Sequence, residues 1–139
     1  MQHQVVFGNA HTEGLNRGGW FIGHFINPPD DPRSTSTLEV KWADHKAGES
    51  RQQWAKNVEA TTLSILIRGR FRLEFSDREV LLSHEGDYVL WCPGVPHCWL
   101  AETDCTILTV RYPSKSGDSV GIPMQVEQTD SETSNERLD

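Results

Sequence analysis

Between residues 18 and 112 apolar and polar positions alternate in short runs, and turn residues separate the runs. Thr37–Trp42 is the clearest case: Leu38, Val40 and Trp42 share one face, and Thr37, Glu39 and Lys41 share the other. A period of two marks a half-buried strand, not a helix. In Phe71–Phe75 the same period places Phe71, Leu73 and Phe75 inward, with Arg72 and Glu74 outward. Gly18–Ile26, Thr61–Ile67, Val80–Leu82, Asp87–Trp91, His97–Leu100 and Thr106–Tyr112 complete a set of eight predicted strands. The turns between them, such as Arg68-Gly69-Arg70 and Ser76-Asp77-Arg78, carry the Gly, Asp and Ser that reverse a chain without strain. Short strands at this spacing predict an all-β sandwich or barrel of two antiparallel sheets. Arg51–Ala60 follows neither period, and both a helical turn and an irregular loop suit it.

Composition sets the organisation. A chain of 139 residues with 36% apolar residues builds one core, hence one domain. Residues 113–139 hold two basic and six acidic groups among Ser, Thr, Gln and Asn, with few large apolar residues. Such a stretch buries too little surface to offset its ordering entropy. The expectation is therefore a barrel over 1–113 and an acidic flexible tail over 114–139. No run approaches the roughly 20 apolar residues of a membrane helix, and Met1-Gln2-His3-Gln4 has neither the basic start nor the apolar run of a secretory signal. The net charge of -7 disfavours nucleic acid, whose phosphates are held by clustered Lys and Arg. Neither nucleic acid nor membrane is an expected partner, and a cytoplasmic location is. Cys92, Cys98 and Cys105 are too few and too irregular for a disulfide framework, and they contain no Cys-x-x-Cys pair. Reduced thiols are expected.

One stretch carries more information. In Gly86-Asp87-Tyr88-Val89-Leu90-Trp91-Cys92-Pro93-Gly94-Val95-Pro96-His97 a Gly-Asp turn opens a strand and a Pro/Gly turn reverses it, which delivers His97 to the start of the returning strand. Gly86, Gly94 and His97 stand at the spacing of the second conserved motif of the cupin superfamily, although proline falls one place late at Pro93 and Ala101 occupies the Asn position. The Leu66-Ile67-Arg68-Gly69-Arg70 hairpin resembles its counterpart in cupins. Over residues 37–112 the chain thus resembles a cupin. The resemblance implies a jelly-roll barrel, and a homodimer in which Gly18–Ile26 serves as the pairing strand.

The resemblance also implies a metal held by two His and a Glu of the first motif and the His of the second. That first motif has decayed. Counting back from Gly69 puts Thr62 at the Glu position, and counting forward from Gly48 puts Trp54 and Lys56 at the two His positions. One neutral imidazole does not hold a divalent ion tightly. Two readings follow. In the first, no cofactor is needed: Trp42, Trp54, Trp91, His97 and Trp99 line a cavity for a small organic ligand, in a sensing or accessory module. The same tryptophans equally suit an aromatic core. In the second, His45, Glu49 and His97 rebuild a two-His-one-carboxylate set for Fe, Mn, Zn or Ni, and the protein is an oxygenase or isomerase. As ordinary loop residues, His45 and Glu49 would be solvated. Asp87 and Asp104 are candidates to orient His97 as a base, and Arg68, Arg72 and Arg111 are candidates to reach an anionic ligand, although parity turns Arg72 outward.

Overall fold

A computed structural model describes residues 4–51 and 53–123. A one-turn helix α1 (Ala10–Glu13) precedes ten strands: β1 (Trp20–Ile22), β2 (Glu39–His45), β3 (Ala55–Asn57), β4 (Thr61–Arg68), β5 (Phe71–Phe75), β6 (Arg78–Leu82), β7 (Tyr88–Trp91), β8 (His97–Ala101), β9 (Cys105–Tyr112) and β10 (Ser119–Gly121). They form two five-stranded sheets, β1-β2-β9-β4-β7 and β10-β3-β8-β5-β6, and every strand pair is antiparallel. The all-β expectation holds. Two segments differ from it. Arg51–Ala60 is neither helix nor pure loop, because β3 lies in it and pairs with β8 through Ala55 and His97. Gly18–Ile26 shrinks to Trp20–Ile22, since Gly18, Gly19 and Gly23 all take positive φ and break the extended run.

The start of the expected tail is also corrected. Residues 114–123 belong to the barrel. Ser119–Gly121 pairs with β3, and Ser114 and Asp118 are buried. The Asp118 carboxylate accepts hydrogen bonds from Asn57 Nδ2 (3.2 Å), Glu59 N (2.7 Å) and Ala60 N (3.2 Å). Composition missed this anchor because a single carboxylate, and not apolar area, ties the segment down. The remainder of the expected tail, 124–139, lies outside the described residues.

Cross-strand register fixes which side chains look inward. On the first sheet the inward rows are Glu39-Arg111-Thr62-Trp91, Lys41-Thr109-Ser64-Val89 and Ala43-Ile107-Leu66. The outward rows are Val40-Val110-Leu63-Leu90, Trp42-Leu108-Ile65-Tyr88 and the polar Asp44-Thr106-Arg68. The second sheet faces them with Phe75-His97, Leu73-Trp99 and Phe71-Ala101. The interior therefore has two halves. Leu66, Phe71, Leu82, Ala101, Cys105 and Ile107 pack an apolar end. Glu39, Lys41, Thr62, Ser64, Thr109 and Arg111 make the other end polar.

Candidate functional site

A partly open cavity of about 30 Å³ lies where the polar half meets Phe71, Leu73 and Ile107, and its wall includes Lys41, Arg51, Thr62, Trp91, His97, Trp99 and Arg111. That volume holds about two water molecules. β2, β9 and β4 supply the floor by their inward parity. β8 supplies His97 and Trp99 from the opposite sheet. Arg51 enters from the segment before β3, where its backbone N–H donates to Trp99 O (3.1 Å).

His97 is 3% exposed. Its Nδ1 lies 3.1 Å from Val95 O, and a carbonyl only accepts, so Nδ1 carries the proton and Nε2 the lone pair. Burial, reinforced by the nearby Arg51, Arg111 and Lys41 charges, pushes its pKa down to about 4 despite the Val95 bond. At neutral pH it is an uncharged acceptor, packed 4.8 Å from the Trp91 ring.

The cations are less well partnered. Arg111 Nη1 donates to Glu39 Oε2 (3.2 Å), while Glu39 Oε1 accepts from Ser114 Oγ (2.7 Å). Among the described residues no carboxylate reaches ion-pair distance of Lys41 or Arg51. Lys41 and Arg111 instead sit 5.2 and 4.8 Å from the Trp20 ring centre, a cation–π arrangement. Burial holds the Lys41 ammonium down to about 8, helped by repulsion from Arg111 and Arg51, and lowers Arg51 and Arg111 as well. Three buried atoms here have no hydrogen-bond partner: Thr62 Oγ1, Trp91 Nε1 and Arg111 Nε.

Comparison with solved structures gives a consistent match. A double-stranded β-helix protein from Klebsiella pneumoniae aligns at TM-score 0.56 and 15% identity, over 65% of this chain and 78% of that one. KdgF from Halomonas sp. aligns at TM-score 0.51 and 19% identity, over 59% and 74%. The Streptomyces nucleoside dehydratase Pac13 aligns at TM-score 0.54 and 12% identity, over 63% and 69%. The chain has the cupin fold. No family model matches it, and no curated protein matches it by sequence.

In this cupin barrel the expected site residues separate. Trp91, His97 and Trp99 line the cavity. Trp42 does not, because it alternates with the inward Lys41 and Ala43 and lies in an outward row. Trp54 does not either: it precedes β3, where Ala55 and Asn57 take the buried positions and Lys56 alternates away from them. Asp87 accepts the backbone N–H groups of Ser83 (3.0 Å) and His84 (2.9 Å), and Asp104 that of Ala47 (2.9 Å). Val95 O takes the orienting role expected of these carboxylates.

The residues present do not fit the metal usual to the fold. His45 lines the cavity, yet its Nδ1 is 3.0 Å from Glu49 Oε1, and its ring stacks on Phe71 and lies tilted against Trp99. His45, Glu49 and His97 do not converge, and among the described residues no three His, Cys, Asp or Glu side chains do. The first-motif Glu position holds Thr62, and Lys41, Arg51 and Arg111 put positive charge where a dication would sit. The alternation of β2 and β9 with Thr62, Ser64 and Thr109 was the signal for Lys41 and Arg111, since polar residues in phase on neighbouring strands mark a polar interior.

Proposed function

We propose that this cupin binds a small organic molecule inside its barrel, without the metal usual to the fold, as a sensing or accessory module. The observation that carries the reading is a cavity walled by Trp91 and Trp99 whose buried polar atoms lack protein partners. Buried polar groups are nearly always satisfied, so those without protein partners are met by water or by a guest that displaces it. Titrating the purified protein with a metabolite panel while following tryptophan fluorescence tests it. Saturable quenching lost in Trp91→Phe supports it, and no response to any member counts against it.

A second reading, a metal-dependent enzyme, has in its favour only that His45 and His97 both reach the cavity wall. Elemental analysis decides between the two: stoichiometric Fe, Mn, Zn or Ni that disappears in His97→Ala favours the enzyme.

The molecule works, in our proposal, as a homodimer. Two neighbouring outward rows of the first sheet are apolar across four strands, with Tyr88 and Leu90 exposed at one edge. Contiguous apolar surface of this kind marks an interface, and a second copy covers it with the same residues. Strand β1, the expected pairing strand, is the opposite edge of the same sheet.

A further inference from the structure

We infer that the guest is a small organic carboxylate bearing a hydroxyl group, its carboxylate held between Lys41 and Arg51 and its hydroxyl against His97. The inference rests on the cavity reading above and names the chemistry of its ligand.

The argument is one of donors and acceptors. Lys41 and Arg51 bring N–H donors and two positive charges, with no carboxylate of the described residues in ion-pair distance of either. Trp91 Nε1 and Arg111 Nε, which only donate, are buried without an acceptor. The one carboxylate on this face, Glu39, is occupied by Arg111 and Ser114. The wall thus has a surplus of donors and of positive charge, and the complementary guest is an anion rich in acceptors. A carboxylate satisfies a guanidinium fork and an ammonium together.

Two features narrow the class. The cavity volume of about 30 Å³ admits a headgroup and little else without side-chain movement. His97 offers the opposite chemistry, a lone pair at Nε2 beside the donors, and takes a ligand O–H. A neutral imidazole next to paired cations distinguishes a hydroxy acid from a simple acid.

The overall negative charge of the chain makes the pocket more telling. An acidic protein that concentrates unpaired cations in its interior holds them at a cost in folding stability, since burying an unpaired charge is unfavourable. Removing one cation should therefore stabilise the empty protein while weakening the ligand.

The test uses the full chain and four probes: glycolate, acetate, inorganic phosphate and glycolamide, the uncharged counterpart of glycolate. Tryptophan fluorescence and melting temperature are read for each, up to tens of millimolar. Glycolate is expected to bind roughly tenfold more tightly than acetate, and glycolamide at least roughly tenfold more weakly than glycolate. Lys41→Met and Arg51→Met are each expected to weaken glycolate by roughly tenfold or more and to raise the melting temperature of the ligand-free protein. Equal response to glycolate and glycolamide overturns the anion assignment and leaves the cavity reading standing. Tighter binding of phosphate than of glycolate overturns the carboxylate assignment. Acetate equal to glycolate removes the hydroxyl contact to His97. No change with any probe or variant overturns this inference, and the cavity reading falls only if the metabolite panel is also without effect.

Discussion

The two faces of the sheet β1-β2-β9-β4-β7 reverse the usual arrangement. Towards the barrel, the rows from Glu39 to Trp91 and from Lys41 to Val89 carry polar and charged side chains. Away from it, the rows from Val40 to Leu90 and from Trp42 to Tyr88 are wholly apolar. The sheet closing the other side behaves normally, with Phe71, Leu73 and Phe75 inward and Arg72 outward on Glu102 (3.0 Å). A sheet buries its apolar face against whatever covers it. Here only one end of the first sheet's inner face is apolar, so fold stability rests on that end, and the polar rows are free to serve a ligand.

Substitutions that separate the two ends and the two faces sharpen this contrast. Leu66→Ala, at the apolar end of β4, should cost about 3 kcal/mol in urea unfolding, because a fully buried leucine leaves a cavity. A loss under about 1 kcal/mol would place the stabilising core elsewhere.

Acid should act next. Between pH 6.5 and 4 the unfolded chain protonates His97 while the folded chain does not, so the protein is expected to lose stability as pH falls through that window. The full effect is roughly 3 kcal/mol by pH 4, read by urea unfolding at pH 7 and pH 4.5 in the wild type and in His97→Phe, which should lack this component.

Lys41 acts in the same sense in a higher pH window. Its depressed pKa of about 8 means the folded state bears the burial penalty below pH 8 and sheds it as pH rises towards 10.5. Lys41→Met should consequently raise stability at pH 7 by about 2 kcal/mol. Thr62→Val should be neutral or stabilising by up to about 1 kcal/mol, because the hydroxyl it removes has no partner.

The outer face completes the series. Ile65→Arg should change monomer stability by under about 1 kcal/mol, yet convert a dimer to a monomer in sedimentation. A wild type that sediments as a monomer would leave the apolar rows for another partner.

Much of this was legible from the residues. Period two identified eight of the ten strands, and Gly86, Gly94 and His97 pointed to the fold through their resemblance to the cupin motif; the two glycines take positive φ in the turns that bound β7. Period two does not say which face is the inside. In Thr37–Trp42 the apolar set of Leu38, Val40 and Trp42 looks like a core face, but pairing with β9 turns Lys41 and Ala43 inward and Trp42 out. Register is a property of two strands at once, and one strand's alternation cannot contain it. The same gap hid Arg51, which reaches the cavity from a segment with no period at all. Among the tryptophans, Trp91 and Trp99 were readable because they flank the reversal that presents His97.

Asp118 has a practical consequence for anyone cutting this gene. Composition invites a stop codon after Pro113, where the apolar residues thin out. A product ending there would lack Ser114, whose hydroxyl donates to Glu39 and accepts from His24 N (2.9 Å), and the carboxylate that gathers Asn57, Glu59 and Ala60. The shortened polypeptide would leave the buried Asn57 amide without its acceptor and Glu39 without one of its donors, directly beside the cations of the cavity. Shuffling or tagging this protein at its C-terminal side therefore has to keep everything through Pro123, even though ten of those residues look expendable on paper.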